Sequence, residues 1–379
     1  MSKALGRSIR ICLLLAGAAC VQVSALAADG VEFVGRWASP GDAPVATWAG
    51  SGARLRFSES SSVAADLTVA RTNGKSPSDG KLYISISVDG GGRRRIGLAP
   101  GFHPGVALAS GLSPGVHTVD LRDENEPYFG SLQFAHPTLA AGGRWNKIAD
   151  HWPIVEVVGD SDATGICALG PLSPAVPANL FTAAWASQSD SWPALVATKA
   201  AALGHRVEMV DLAMSGSTTA VEADKYDQAA PYFSDQQFSG YSGHRTISLA
   251  LLWGGINDHN HGGDLATGSP ISSVNLSPFQ RGVYDQITKI LSRNPHATIV
   301  LLEYVDPVFG TPDWKPAYMQ VVSLFSDGKQ KQILFLAVND PPGSSNACDI
   351  DPKGHPSAAM HEAWAKQIFS WMVARNLVP

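Results

Sequence analysis

The stretch Ile154-Val155-Glu156-Val157-Val158-Gly159-Asp160-Ser161-Asp162 decides how the rest of the chain is read. Residues 154 to 158 form a continuous apolar-rich run, the pattern of a strand buried on both faces. The run exits into a short polar cluster that carries a hydroxyl. The same rhythm recurs downstream, where Val207 to Leu212, Ile247 to Trp253, Thr298 to Tyr304 and Ile333 to Val338 read as strands. Between them Ala194 to Leu203, capped by Ser191 and Pro193 and closed by Gly204, predicts a helix. Pro278 to Arg293 and about Ser357 to Arg375 predict two more. Strands alternating with helices predict a parallel sheet covered on both sides, and such sheets collect active groups beyond the carboxyl ends of their strands.

Upstream the pattern differs. Ala53 to Phe57, Ser62 to Val69, Leu82 to Val88, Arg95 to Leu98 and His117 to Leu121 are short runs, several alternating, separated by Ser-Gly, Asp-Gly-Gly-Gly and Ser-Pro-Gly clusters. They predict a small antiparallel β-sandwich, jelly-roll-like, over residues 28–143, with Ala140 to Gly143 as the linker into an α/β domain over 144–379.

Residues 1–27 read as a signal peptide. Lys3, Arg7 and Arg10 precede an apolar run from Ile11 to Val23, and Ala25-Leu26-Ala27 has the small-x-small form of a cleavage site. This predicts cleavage after Ala27 and a protein that is secreted or periplasmic. Removing three basic and no acidic groups lowers the formal net charge from −5 to −8. That balance speaks against a nucleic-acid partner, which requires a basic surface. Beyond residue 30 no eighteen-residue apolar run occurs, so no membrane-spanning helix is expected.

The strand exits hold the chemistry. They are Gly159-Asp160-Ser161-Asp162, Met214-Ser215-Gly216-Ser217 and Gly254-Gly255-Ile256-Asn257-Asp258, and after the fifth strand Asp349-Ile350-Asp351-Pro352-Lys353-Gly354-His355-Pro356. A hydroxyl, a glycine amide, a side-chain amide and an imidazole are the parts required for acyl transfer: nucleophile, oxyanion donors and general base.

Those four blocks, in this order across residues 154–356, resemble the SGNH (GDSL-type) hydrolase superfamily. The sandwich in front narrows the likeness. With Tyr83 to Gly90, the Gly-Val-His-Thr-Val-Asp-Leu within Leu112 to Leu121, and Glu126 to Phe134, the chain resembles carbohydrate esterase family 2 over nearly its whole mature length. The resemblance implies a secreted esterase that removes acetyl groups from plant-type polysaccharides, of the acetyl xylan esterase kind, with no metal or organic cofactor. It implies Ser161 as nucleophile and His355 as general base. The Ser161 and Gly216 amides and the Asn257 side chain would form the oxyanion hole. A neutral imidazole is required, so activity is expected to fall below about pH 6.5.

One departure concerns the acid. The superfamily places Asp three residues before the histidine, where this chain has Pro352. Asp351, Asp349 or a backbone carbonyl would have to orient His355, Asp351 being the first choice. Once Cys12 and Cys20 leave with the signal peptide, Cys167 and Cys348 remain. They lie six residues after Ser161 and seven before His355, so a Cys167–Cys348 disulfide is expected where the two catalytic loops meet.

Other features read more plainly. Gly111-Leu112-Ser113-Pro114-Gly115 has the form of a nucleophile elbow, but no helix follows it and it reads as a turn. His259, His261, Asp258 and Asp264 lack a full metal-ligand spacing and read as a polar loop. His361 reads as structural or surface, and Asp160 and Asp258 as loop braces. Trp253 and Trp314, ahead of Trp185 and Trp192, are the candidates for stacking on sugar rings. The expected partner is an acetylated polysaccharide or oligosaccharide, met by a monomer. The competing readings are a GDSL-type lipase or lysophospholipase, and a catalytically weak carbohydrate-binding surface protein.

Overall fold

The computed structural model describes residues 30–38, 43–46, 48–71, 80–127, 129–170, 185–219, 247–260, 272, 275–305, 314–325, 331–341 and 355–379. Its amino-terminal half contains β1 (Val31–Val34), β2 (Trp37–Ala38), β3 (Val45–Ala46), β4 (Gly52–Ser58), β5 (Ser62–Arg71) and β6 (Leu82–Val88). It continues with β7 (Arg94–Leu98), β8 (Gly101–Ser110), β9 (Val116–Asp123), β10 (Gly130–Leu139) and β11 (Arg144–Trp145). One antiparallel sheet runs β1-β4-β9-β6-β7 with β11 added on β4, and the other runs β2-β3-β10-β5-β8. Inward residues such as Leu55, Phe57, Leu67, Val119, Leu121 and Phe134 are fully buried between the sheets. Alternation along β5 and β9 produces this directly, because successive side chains point to opposite faces. Arg144 and Trp145 still pair with Ser58 and Phe57, so the sandwich continues past Ala140–Gly143 before the chain crosses over.

The second half is an α/β domain. Strands β12 (Ile154–Gly159), β13 (Glu208–Ala213), β14 (Ile247–Trp253), β15 (Thr298–Val305) and β16 (Ile333–Asn339) form a parallel sheet in the order β13-β12-β14-β15-β16. Helices α1 (Ser161–Thr164), α2 (Trp192–Ala202), α3 (Ile256–Asn260), α4 (Pro278–Arg293), α5 (Lys315–Val322) and α6 (Ala358–Ala374) surround it. Ser277 and Gln280 form a reciprocal capping box at the start of α4. One sheet face packs on α4 and α5 through Phe279, Ile287 and Tyr318, and the other on α2 and α6 through Trp192, Val196 and Trp364. Five strands and three longer helices therefore lie where the apolar pattern predicts them.

The halves interlock rather than merely touch. Ile166, Cys167 and Ala186 of the α/β domain belong to the sandwich core, while Trp48 of the sandwich half packs into the α/β core. Arg36 forms a buried ion pair with Glu156 in the middle of β12 at 2.8 Å, and the Gly35 amide donates to Glu208 at 3.0 Å. Arg95 stacks over Tyr83 and donates to the Ala186 carbonyl at 2.7 Å.

Candidate active site

Strand β12 delivers Ser161 straight into a single helical turn. Asp160 caps it, its Oδ1 accepting from the Asp162 amide at 3.0 Å. Burial, aided by the nearby charges of Asp162 and Asp258, holds the Asp160 carboxyl well above the usual carboxylate range. Gly165 ends the turn with φ of 72°, and a Cβ there would lie 2.3 Å from the Ser187 carbonyl oxygen, so only glycine fits. Ser161 is largely buried, at 7% exposure.

Neighbouring β13 exits beside it. The Met214 amide donates to the Gly159 carbonyl at 3.1 Å, which places the second block next to the first. Met214 to Ser217 form a four-residue turn closed by Ser217 N–H to Met214 O at 3.1 Å, with Gly216 at φ of 78° in the third position. A type II turn demands that sign of φ there.

The third block braces the second. Asn257 Nδ2 donates to the Ser217 carbonyl at 2.8 Å and retains a second N–H. Asp258 accepts from the Thr219 amide at 2.9 Å and from its hydroxyl at 2.8 Å. Asp160 and Asp258 both act as the loop braces expected of them.

His355 lies half-buried just ahead of α6. It is close enough to Glu126 and His361 to influence the protonation of both. His361 is fully buried, its Nδ1 accepting from the Trp192 amide at 3.2 Å. Burial, with the charge of His355 adding to it, pushes its pKa down to about 3, so it is a neutral strut between α2 and α6.

Glu126 is the residue that sequence reasoning missed. It lies in the connection between β9 and β10 of the sandwich, at 1% exposure, and its carboxylate accepts from Ser215 twice. One bond comes from the Ser215 amide, the other from its hydroxyl at 2.5 Å. Burial pushes the Glu126 pKa up to about 7 against the opposing pull of the Ser215 hydrogen bonds and His355. Its neighbour Glu124 accepts from the Ser187 hydroxyl at 3.0 Å and from the Ser189 amide and hydroxyl. An acidic run such as Asp123-Glu124-Asn125-Glu126 ordinarily signals a solvated turn, so the sequence offers no local cue to these contacts.

Two expected substrate residues are corrected. Trp253 is 3% exposed and packs among Trp192, Tyr304 and Trp364 with ring centroids 5.3, 5.7 and 5.1 Å away. Trp314 is 2% exposed, packs on Phe279 at 5.5 Å and donates its backbone N–H to Glu303. Neither offers a ring face to a sugar, because the pleat of β14 and the seating of α5 turn both into the core. Trp192 is fully buried as well. Cys167 is buried. Cys348, Asp349, Asp351, Pro352, His261 and Asp264 lie outside the described residues. Among the described residues no group of three or more His, Cys, Asp or Glu could hold a metal ion, and no helix is long and apolar enough to cross a membrane.

Ser161, the Gly216 turn and the Asn257 carboxamide thus lie at adjoining strand exits of an α/β fold. Family models agree along the chain. Residues 33–147 match the carbohydrate esterase 2 N-terminal model, and residues 157–363 match the GDSL-like lipase/acylhydrolase family. The chain belongs to the GDSL-like lipase/acylhydrolase family and carries a carbohydrate esterase 2 N-terminal domain ahead of it.

Solved structures share the whole architecture. A family two carbohydrate esterase from Clostridium thermocellum in complex with cellohexaose is 17% identical, with 92% of this chain and 99% of that one covered at a TM-score of 0.68. A carbohydrate esterase family 2 enzyme from Corynascus thermopiles (Myceliophthora fergusii) is 22% identical, covering 91% and 98% at 0.67. The acetyl xylan esterase Est2A from the rumen bacterium Butyrivibrio proteoclasticus is 14% identical, covering 93% and 97% at 0.70. At these identities the likeness shows the fold. Among curated protein sequences, none matches.

Proposed function

We propose that the protein is a secreted carbohydrate O-acetyl esterase working through a Ser161 acyl-enzyme. The observation that carries this reading is the convergence of the Ser161, Gly216 and Asn257 blocks at adjoining strand exits, with a carbohydrate esterase 2 type sandwich docked onto them. In the reaction Ser161 Oγ attacks the acetyl carbonyl and its proton passes to His355. The amides of Ser161 and Gly216 and the second N–H of Asn257 hold the oxyanion. The tetrahedral adduct then expels the sugar oxygen, which takes the proton from His355 and leaves acetyl-Ser161. Water, deprotonated by His355, attacks this ester in turn, releasing acetate and restoring the serine.

Asp351 is our choice to orient the imidazole, with Asp349 or a backbone carbonyl in its place if Asp351→Ala retains activity. We also assign cleavage of the signal peptide after Ala27, action as a monomer, and Cys348 as the partner of Cys167. That bridge would tie the nucleophile loop to the histidine loop and add roughly 4 to 5 kcal/mol in the chain-entropy treatment.

The test is acetate release from acetylated glucomannan and xylan by the mature protein beside Ser161→Ala. Release by wild type and near-silence of the variant are expected. A preference for 4-nitrophenyl octanoate over acetate would instead indicate a lipase. Polymer binding without acetate release would mark a carbohydrate-binding protein.

A further inference from the structure

We propose that Glu126, delivered by the sandwich half, is a positioning residue of the active site: by clamping Ser215 at both its amide and its hydroxyl, it holds the Gly216 amide where the oxyanion forms. The inference rests on the Ser161 mechanism proposed above and adds a residue from the other domain to it.

The clamp acts on the right atoms. In the Met214–Ser217 turn, the closing hydrogen bond uses Ser217 N–H and Met214 O, and the Ser217 hydroxyl also donates to Met214 O at 2.5 Å. Neither of these bonds holds Ser215, the second residue of the turn. Rotation about Ser215 would swing the peptide that carries the Gly216 N–H, and Glu126 opposes that rotation from outside the domain. Fixing a donor in advance is what gives an oxyanion hole its power.

The platform under Glu126 is rigid. The Glu124 amide donates to the Tyr83 carbonyl at 3.0 Å, and Asn125 Oδ1 accepts from the Tyr83 amide at 2.6 Å. The Asn125 amide in turn donates to Asp123 at 3.0 Å, and the Phe129 amide to the Glu126 carbonyl at 3.0 Å. The segment is thereby locked to β6 before it reaches across. Glu124, docked on Ser187 and Ser189, anchors it to the α/β domain a second time. The titratable groups that bear on Glu126 are His355 and Asp211.

The experiment compares full-length mature wild type with Glu126→Ala, Glu126→Gln and Ser215→Ala at pH 8. Two readouts are taken: kcat and KM on 4-nitrophenyl acetate, and the rate at which a fluorophosphonate labels Ser161. Labelling uses the nucleophile and oxyanion hole without needing a turned-over ester. Glu126→Ala loses both contacts, and kcat and labelling should fall about thirty- to a hundredfold with KM held within about twofold. Glu126→Gln keeps both, its carbonyl accepting the amide while its NH2 donates to the hydroxyl. It should stay within about threefold of wild type. Ser215→Ala keeps only the amide contact and should fall about three- to tenfold, which serves as the test if Glu126→Ala does not fold.

Equal rates for wild type, Glu126→Ala and Ser215→Ala would overturn the proposal while leaving the esterase reading intact. A Gln variant as impaired as the Ala variant would overturn it too, because charge rather than position would then be acting. Labelling without acetyl-ester turnover would refute the substrate reading, and the labelling ratios would still decide the role of Glu126. Absence of labelling at Ser161 in wild type would overturn both.

Discussion

Replacing Arg36 by Met tests how strongly the two halves depend on each other. Arg36 and Glu156 have side chains 2% and 0% exposed, with N···O at 2.8 Å, and Glu156 lies on β12, the strand that leads to Ser161. At an effective dielectric of about 20 the gross attraction is about 6 kcal/mol, set against several kcal/mol of desolvation per ion. Arg36→Met takes the Arg36 cation away from the buried Glu156 carboxylate. Breaking a buried pair by removing one partner costs about 3 to 5 kcal/mol, and a loss in that range is expected. The double variant Arg36→Met/Glu156→Met removes both charges and should recover most of the loss. Urea unfolding of all three proteins followed by tryptophan fluorescence at pH 7 measures this. A single-variant loss under about 1 kcal/mol, or a double variant no better than the single, would refute the reasoning.

Three further outcomes follow from the site. Glu126 holds its proton up to about pH 7 when folded, whereas an unfolded glutamate releases it near 4.5. The share of stability that Glu126 contributes therefore falls as pH rises between those values, by about 3 kcal/mol, and Glu126→Gln should remove that share in urea titrations at pH 5 and 8. A wild-type and variant pH dependence that coincide would contradict this. Asp258→Ala deprives the buried Thr219 amide of its acceptor and leaves the Thr219 hydroxyl only the Phe279 carbonyl, and should cost about 1 to 3 kcal/mol. It should also slow Ser161 labelling about tenfold, since the Gly216 turn loosens; unchanged labelling would separate the brace from the oxyanion hole. Gly165→Ala forces a Cβ to within 2.3 Å of the Ser187 oxygen at φ of 72° and should destabilise by about 2 kcal/mol or more in thermal melts, an unshifted melting point counting against the turn geometry.

The parallel sheet is legible because its strands are apolar on both faces and each ends in a polar cluster, so period and punctuation agree. Strand β8 is not, since Gly101, Pro104 and Gly105 break any alternation; it tolerates them as an edge strand, with register shifts against β5. The order of the four blocks supplies the nucleophile, the oxyanion donors and the base of the proposed mechanism in one half of the chain. It is silent about Glu124 and Glu126, whose partners are as many as 89 residues away and whose burial is created only by docking. Trp253 shows the complementary failure. Proximity to a strand exit says nothing about which face the pleat presents, and the ring goes to the layer between α2 and α6.

Docking through Glu124 and Glu126 also has a consequence for how the protein comes into being. A ribosome releases the sandwich first, so these two carboxylates exist before Ser187, Ser189 and Ser215 have been made. His355 and the last helix arrive last of all. The nascent chain thus carries half of a clamp with nothing to hold, and hydrolysis has to wait until the end of translation. For the same reason neither half can be lent to another protein by itself. A chimera that exchanges the sandwich must carry along the serines at 187, 189 and 215, or it will join two well-folded pieces around a slack site.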